Sequence, residues 1–171
     1  MSHHSEKTDQ IHARPAGFRT GSAGGFTLIE LIFALTVLGL LMGMVVPKAE
    51  DFVDRARVTK AIGDINAIQL DIDAFAASTD SLPTSLAEIG RDAMPDPWGN
   101  PYVFNNFSLS RGNGVPQGAR RDRFLVPINS TYDLFSMGKD GRSVPALTAR
   151  ASKDDIVRGN DGGFIGLGNL Y

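Results

Sequence analysis

From Phe26 to Val46 the chain reads FTLIELIFALTVLGLLMGMVV, apolar at almost every position. At 1.5 Å per residue, about 21 residues span roughly 31 Å, the thickness of a bilayer's hydrocarbon core. The pattern predicts a helix that is apolar all round and long enough to cross a membrane. It is too long for the apolar region of a secretory signal, about 7–15 residues, and no small-residue cleavage pattern follows at Val46-Pro47-Lys48. After Pro47 the pattern changes. Val58, Ile62, Ile65, Ile68, Ile72, Phe75 and Ala76 recur at steps of three and four, while Lys60, Asp64, Asp71 and Asp73 fall mainly off that stripe. This predicts an amphipathic helix of about eight turns, ending near Ser78-Thr79. Joined to the apolar segment it makes a rod of about 50 residues, roughly 75–80 Å long. Its second half has one apolar face with which to cover a small body.

The rest of the chain supplies that body. Thr84 or Ser85 can cap a short helix through Ile89, with Glu88 three or four residues on. Pro95 to Pro101 is a run of turn formers in which Trp98 is a packing anchor. Tyr102–Phe107, Arg123–Pro127 and Tyr132–Met137 read as strands. Gly112 to Gly118 reads as a loop and Asn160-Asp161-Gly162-Gly163 as a turn, with no element predicted for Gly163–Tyr171. The predicted fold is α+β: a long N-terminal helix, half membrane-spanning and half amphipathic, packed against two or three antiparallel strands.

One carboxylate interrupts the apolar run. An acid at mid-bilayer costs roughly 2.5–3.5 kcal/mol, so intramembrane acids usually have a partner. Glu30 either finds one or lies at the interface and reaches water. Gly39 and Gly43 form a small-x-x-x-small pair on one helix face, which lets apolar helices approach closely. Pro47 ends or kinks the helix. Flanking charges do not orient the segment. Arg14 and Arg19 precede it, and the four cations from Lys48 to Lys60 are diluted by Glu50, Asp51 and Asp54.

Composition narrows the chemistry. The 171 residues suit one modest domain with accessory segments, and the formal charge of −2 gives no reason to expect a nucleic-acid partner. There is no cysteine, and all three histidines lie before Gly25. A chain trimmed there has no imidazole base and no thiol nucleophile. No G-x-S-x-G elbow or nucleotide loop is present, so a membrane-tethered enzyme is disfavoured. Arg120, Arg121 and Arg123 lack interleaved aromatics and read as a solvated loop or a contact with an acidic neighbour. Asp140 and the pair Asp154-Asp155 offer hard oxygen ligands of the kind calcium takes; the plain alternative is an acidic surface loop.

The junction Gly24-Gly25-Phe26-Thr27-Leu28-Ile29-Glu30, the apolar run and its amphipathic continuation resemble the N-terminal signal of type IV pilins and type II secretion pseudopilins. Asp96–Tyr102 (DPWGNPY) and Tyr132–Gly141 (YDLFSMGKDG) resemble the G-type major pseudopilins in particular. The resemblance covers residue 24 to about residue 142 and implies the following. Residues 1–25 are a leader removed on the cytoplasmic side by a prepilin peptidase, which cuts between Gly25 and Phe26 and methylates the new Phe26 amine. Residues 26–47 are the transmembrane and assembly helix, and residues 48–171 the periplasmic domain. Glu30 pairs with the terminal amine of a neighbouring Phe26. The helix loosens between Gly39 and Pro47, which are poorer helix formers than Ala by roughly 1 and 3 kcal/mol. Asp140 and Asp155, with Asp154 a weaker candidate, are side-chain ligands of a calcium ion. Such a clip would staple a small sheet that has no disulfide. The function implied is a structural subunit of an inner-membrane-rooted periplasmic filament. Its partners are copies of itself, minor pseudopilins, the inner-membrane assembly platform and the outer-membrane secretin. The alternative is a type IV pilin for adhesion, twitching motility or DNA uptake.

Overall fold

A computed structural model of the protein describes residues 24–110, 112 and 114–171, with residues 44–48 given by backbone alone. The leader before Gly24 therefore lies outside the described residues, as does the side chain of Pro47. One helix, α1, runs Leu28–Thr79. The chain divides into two compact units at Gly43/Met44.

In the first unit the helix begins at a cap. The Glu30 backbone N–H donates to Thr27 Oγ1 at 3.3 Å. Thr27 thus satisfies one of the orphan donors of the first turn, with Glu30 at the third helical position, the spacing of a capping box. Every described side chain from Gly24 to Gly43 is exposed, including Phe26 at 83% and Phe33 at 69%. Side chains are described continuously only to Gly43, about 24 Å of helix from Leu28. Among the described residues no helix is long and apolar enough to cross a membrane.

The second unit holds the rest of α1 and a sheet. Ala61, Ile65, Ile68 and Ile72 are fully buried, and Val58 and Ile62 pack beside them. These are the positions of the apolar stripe, at the spacing of one helix face. At the end of the helix, Ser78 Oγ and Thr79 Oγ1 donate back to the Phe75 carbonyl at 2.8 and 2.9 Å. Asp80 then takes the left-handed conformation, with φ of 55°, and the helix stops.

The sheet has four antiparallel strands in the order β1-β2-β3-β4: Val103–Asn106, Tyr132–Ser136, Ile156–Gly159 and Phe164–Leu167. The register pairs Val103 with Phe135, Phe135 with Val157, and Val157 with Gly166. Alternation sorts the side chains. Phe104, Tyr132, Leu134, Ile156, Ile165 and Leu167 join the cluster formed with the helix stripe. Phe135, Val157 and Phe164 join a second cluster with Ile128, Leu147 and Tyr171, which come from loops. The sheet is thus covered on both faces, which is why β2 and β3 carry almost no exposed residue. Polar contacts add to the helix side. Tyr102 donates to Asp64 at 2.9 Å, Arg91 pairs with Asp71 at 2.7 Å, and Arg158 donates to Gln69 at 2.9 Å.

Three expectations need correction. Arg123–Pro127 is not a strand. Asp122 and Leu125 exchange backbone hydrogen bonds at 3.0 Å in a tight turn, and Phe124 at its tip is 96% exposed. Pro127 has no N–H to offer a ladder. The strands β3 and β4 stand where no element was predicted after Asp155. The 160–163 turn is as expected, and it connects them: Asn160 and Asp161 both take positive φ there. The predicted helix at Leu86–Ile89 is a single 3-10 turn. Its Glu88 carboxylate accepts from the Thr84 backbone N–H at 3.1 Å and from the Thr84 hydroxyl.

Candidate functional site

Two regions concentrate the residues singled out in the sequence. The first is the start of α1. Phe26 precedes the helix in an exposed segment without regular structure, and Glu30 is exposed within the first turn. A methyl group added at Gly39 or Gly43 would meet nothing within 4 Å. Among the described residues, this end is therefore an apolar cylinder with nothing packed on its glycines and an acid at its tip. It can bury that surface only against lipid or other helices. Thr27 is a member of this site that the sequence reading passed over. Its signal was present, since Thr-x-x-Glu ahead of an apolar run is a capping-box pattern.

The second region joins the two body motifs. Asp96 is buried, and its Oδ1 accepts from the backbone N–H groups of Trp98 at 3.0 Å and Asn100 at 2.8 Å. Its Oδ2 accepts from the Ser136 hydroxyl, and that hydroxyl oxygen accepts from the Gly138 N–H at 3.0 Å. Asn100 Nδ2 donates to the Gly138 carbonyl at 3.0 Å. DPWGNPY and YDLFSMGKDG are thus one hydrogen-bonded clasp rather than two independent signatures. Trp98 lies partly buried against the helix–sheet core, as an anchor should.

Beyond the clasp lies the acidic loop. Asp154 Oδ2 accepts from the Asp140 N–H at 3.0 Å, and Asp140 Oδ1 accepts from the Arg142 N–H at 2.8 Å. Asp140 and Asp154 are therefore neighbours. Asp155 is fully buried and forms an ion pair with Arg120, itself 1% exposed. The same carboxylate oxygen accepts from Ser143 Oγ at 2.6 Å. Burial holds the Asp155 carboxyl above the usual aspartate range, although Ser143 and Arg120 draw it down. Arg120 also donates to the Val144 carbonyl and lies 3.7 Å from the centre of the Phe135 ring. This corrects the reading of Arg120 as part of a solvated loop: its acidic partner is in its own chain. Arg121 and Arg123 are exposed as expected.

The donor set does not fit a calcium ion. Calcium takes six to eight oxygens. Here one proposed ligand already serves a guanidinium, one oxygen of Asp140 is taken by the Arg142 N–H and one of Asp154 by the Asp140 N–H. Among the described residues no three acids or histidines are grouped to hold a metal. Asp155 Oδ1 is buried without a hydrogen-bond partner, but one unpartnered oxygen from each of three carboxylates falls short of the six to eight that calcium takes.

A helix with an exposed apolar start and a first-turn acid, continuing into a four-stranded α+β body, has the pilin-like arrangement. Residues 21–46 match the prokaryotic N-terminal methylation motif. Type II secretion system core protein G of Pseudomonas aeruginosa is 33% identical over 122 residues, covering 69% of this chain and 84% of that one. The protein of the same description from Escherichia coli K12 is 28% identical over 159 residues, covering 81% and 92%. Fimbrial protein Q of Moraxella bovis is 32% identical over 132 residues, covering 76% and 72%. No solved structure matches. The chain belongs to the type II secretion system core protein G family, the major pseudopilins.

Proposed function

We propose that the protein is the structural subunit of a type II secretion pseudopilus, polymerising through its N-terminal helix to drive protein export across the outer membrane. The observation that carries this reading is the exposed apolar start of α1 with Glu30 in its first turn. Before assembly the segment Phe26–Val46 spans the inner membrane, with the leader in the cytoplasm and the body in the periplasm. A prepilin peptidase cuts between Gly25 and Phe26 and methylates the Phe26 amine. In the filament, Glu30 pairs with the amine of a neighbouring Phe26. An acid left alone in that apolar environment is penalised, and an ammonium partner offsets the penalty, so the pair selects the correct axial register. Gly39, Gly43 and Pro47 give the segment both close helix packing and a stretch that loosens as the subunit leaves the bilayer. The further partners are minor pseudopilins, the inner-membrane platform and the outer-membrane secretin. The protein is not an enzyme.

Similarity to Fimbrial protein Q favours one second reading, a type IV pilin subunit for adhesion, twitching or DNA uptake. Deletion separates the two. Loss of exoprotein secretion, restored by the wild-type chain and not by Glu30→Ala, is expected. Intact secretion with loss of surface filaments or motility would assign the pilin role instead.

A further inference from the structure

Loops cover the outer face of the sheet, and they meet at one buried cation. Arg120 reaches the Val144 carbonyl with one guanidinium nitrogen and Asp155 Oδ2 with another, while its own backbone N–H donates to Asp133 at 2.6 Å. Ser143 Oγ bonds the same Asp155 oxygen, and Ser152 Oγ donates to the Val144 carbonyl at 2.8 Å and accepts from the Val144 N–H at 3.0 Å. The loop from Lys139 to Asp155 is therefore gathered at both ends onto Arg120. Its partners are a carboxylate and a main-chain carbonyl, the oxygen types that a hard cation collects.

We propose that Arg120 is the built-in cation of this body, closing the 139–155 loop in place of a bound calcium ion. Three observations converge. The carboxylate of Asp155 is committed to the guanidinium and wholly buried. Its charge is already balanced by Arg120, so a dication set beside the guanidinium would meet like charge in a poorly screened pocket. The guanidinium is planar and stacks on Phe135, and as a covalent part of the chain it is present at every calcium concentration, where a metal's occupancy would vary.

The test uses the full-length protein in detergent, with thermal unfolding and limited trypsin digestion as readouts. Lys139, Arg142, Arg150 and Lys153 are exposed in the loop and report its opening. The wild type is expected to melt and to be cut alike in excess calcium and in EGTA. Arg120→Gln is expected to be cut in the loop roughly tenfold faster or more, because Asp155 loses its charged partner. Arg120→Gln with Asp155→Asn is expected to cost less than the two single changes summed. A calcium-dependent rise in the wild-type melting temperature, or slower loop cleavage in calcium, would overturn the proposal. So would strictly additive single changes. If Arg120→Gln does not accumulate as folded protein, the wild-type comparison and loop cleavage in Asp155→Asn decide.

Discussion

Two glycines show how the same substitution changes sign with its surroundings. Gly138 has φ of 63°, and a Cβ there would lie 2.2 Å from the Asp154 carbonyl oxygen, a backbone atom that cannot turn aside. Gly138→Ala is expected to cost about 3 kcal/mol or more and to loosen the clasp, read by urea unfolding. Gly63 lies in the exposed flank of α1 with nothing within 4 Å of an added Cβ. Gly63→Ala is expected to stabilise by about 0.5–1 kcal/mol in the same assay. Asp161 carries a pH signature. Burial pushes its carboxyl up, but hydrogen bonds from the Ser130 hydroxyl and backbone N–H, together with the Arg158 charge, hold it below the usual aspartate range. A carboxylate whose folded pKa is depressed contributes stability above its unfolded pKa, and that contribution disappears as pH falls through the folded value. The wild-type melting temperature should therefore fall on acidification below the ordinary aspartate range. Asp161→Asn, which tolerates the same positive φ, should flatten that acid limb. An unchanged pH profile in the variant would remove Asp161 from the account.

At the scale of elements, periodicity read long segments well and short ones poorly. The stripe from Val58 to Ala76 predicted the buried face and the end of α1 because many residues repeat one spacing. The strand at Tyr132 was equally legible. Arg123–Pro127 has strand composition, but its fate was decided by hydrogen bonds between Asp122 and Leu125 that no pattern encodes. β3 and β4 are four residues each, too short for a period, and β3 ends in arginine and glycine. What could have revealed them is Asn160-Asp161-Gly162-Gly163 set between two short apolar runs, a hairpin signal. The Arg120–Asp155 pair was hidden for another reason: its members are 35 residues apart, and only the fold brings them together. For the N-terminal half of α1, replacing Gly39, Gly43 and Pro47 with Ala or Leu should stiffen the helix and reduce filament assembly while leaving processing intact. Unchanged assembly and helix content, by filament yield and circular dichroism, would separate these residues from the mechanism.

The whole molecule combines a body with a packed core and a helix start without one. The second unit buries both faces of its sheet and ties its loops with the Asp96 clasp and Arg120. The first unit leaves Phe26, Ile29, Phe33 and their neighbours uncovered. The proposed assembly role rests on this division, and that proposal turns on processing at Gly25-Phe26. The most direct measurement is the intact mass and N-terminal sequence of the protein extracted from membranes. The predicted result is a chain beginning at Phe26 and carrying one methyl group on its amine. A chain that keeps Met1, or begins anywhere other than Phe26, would contradict the account.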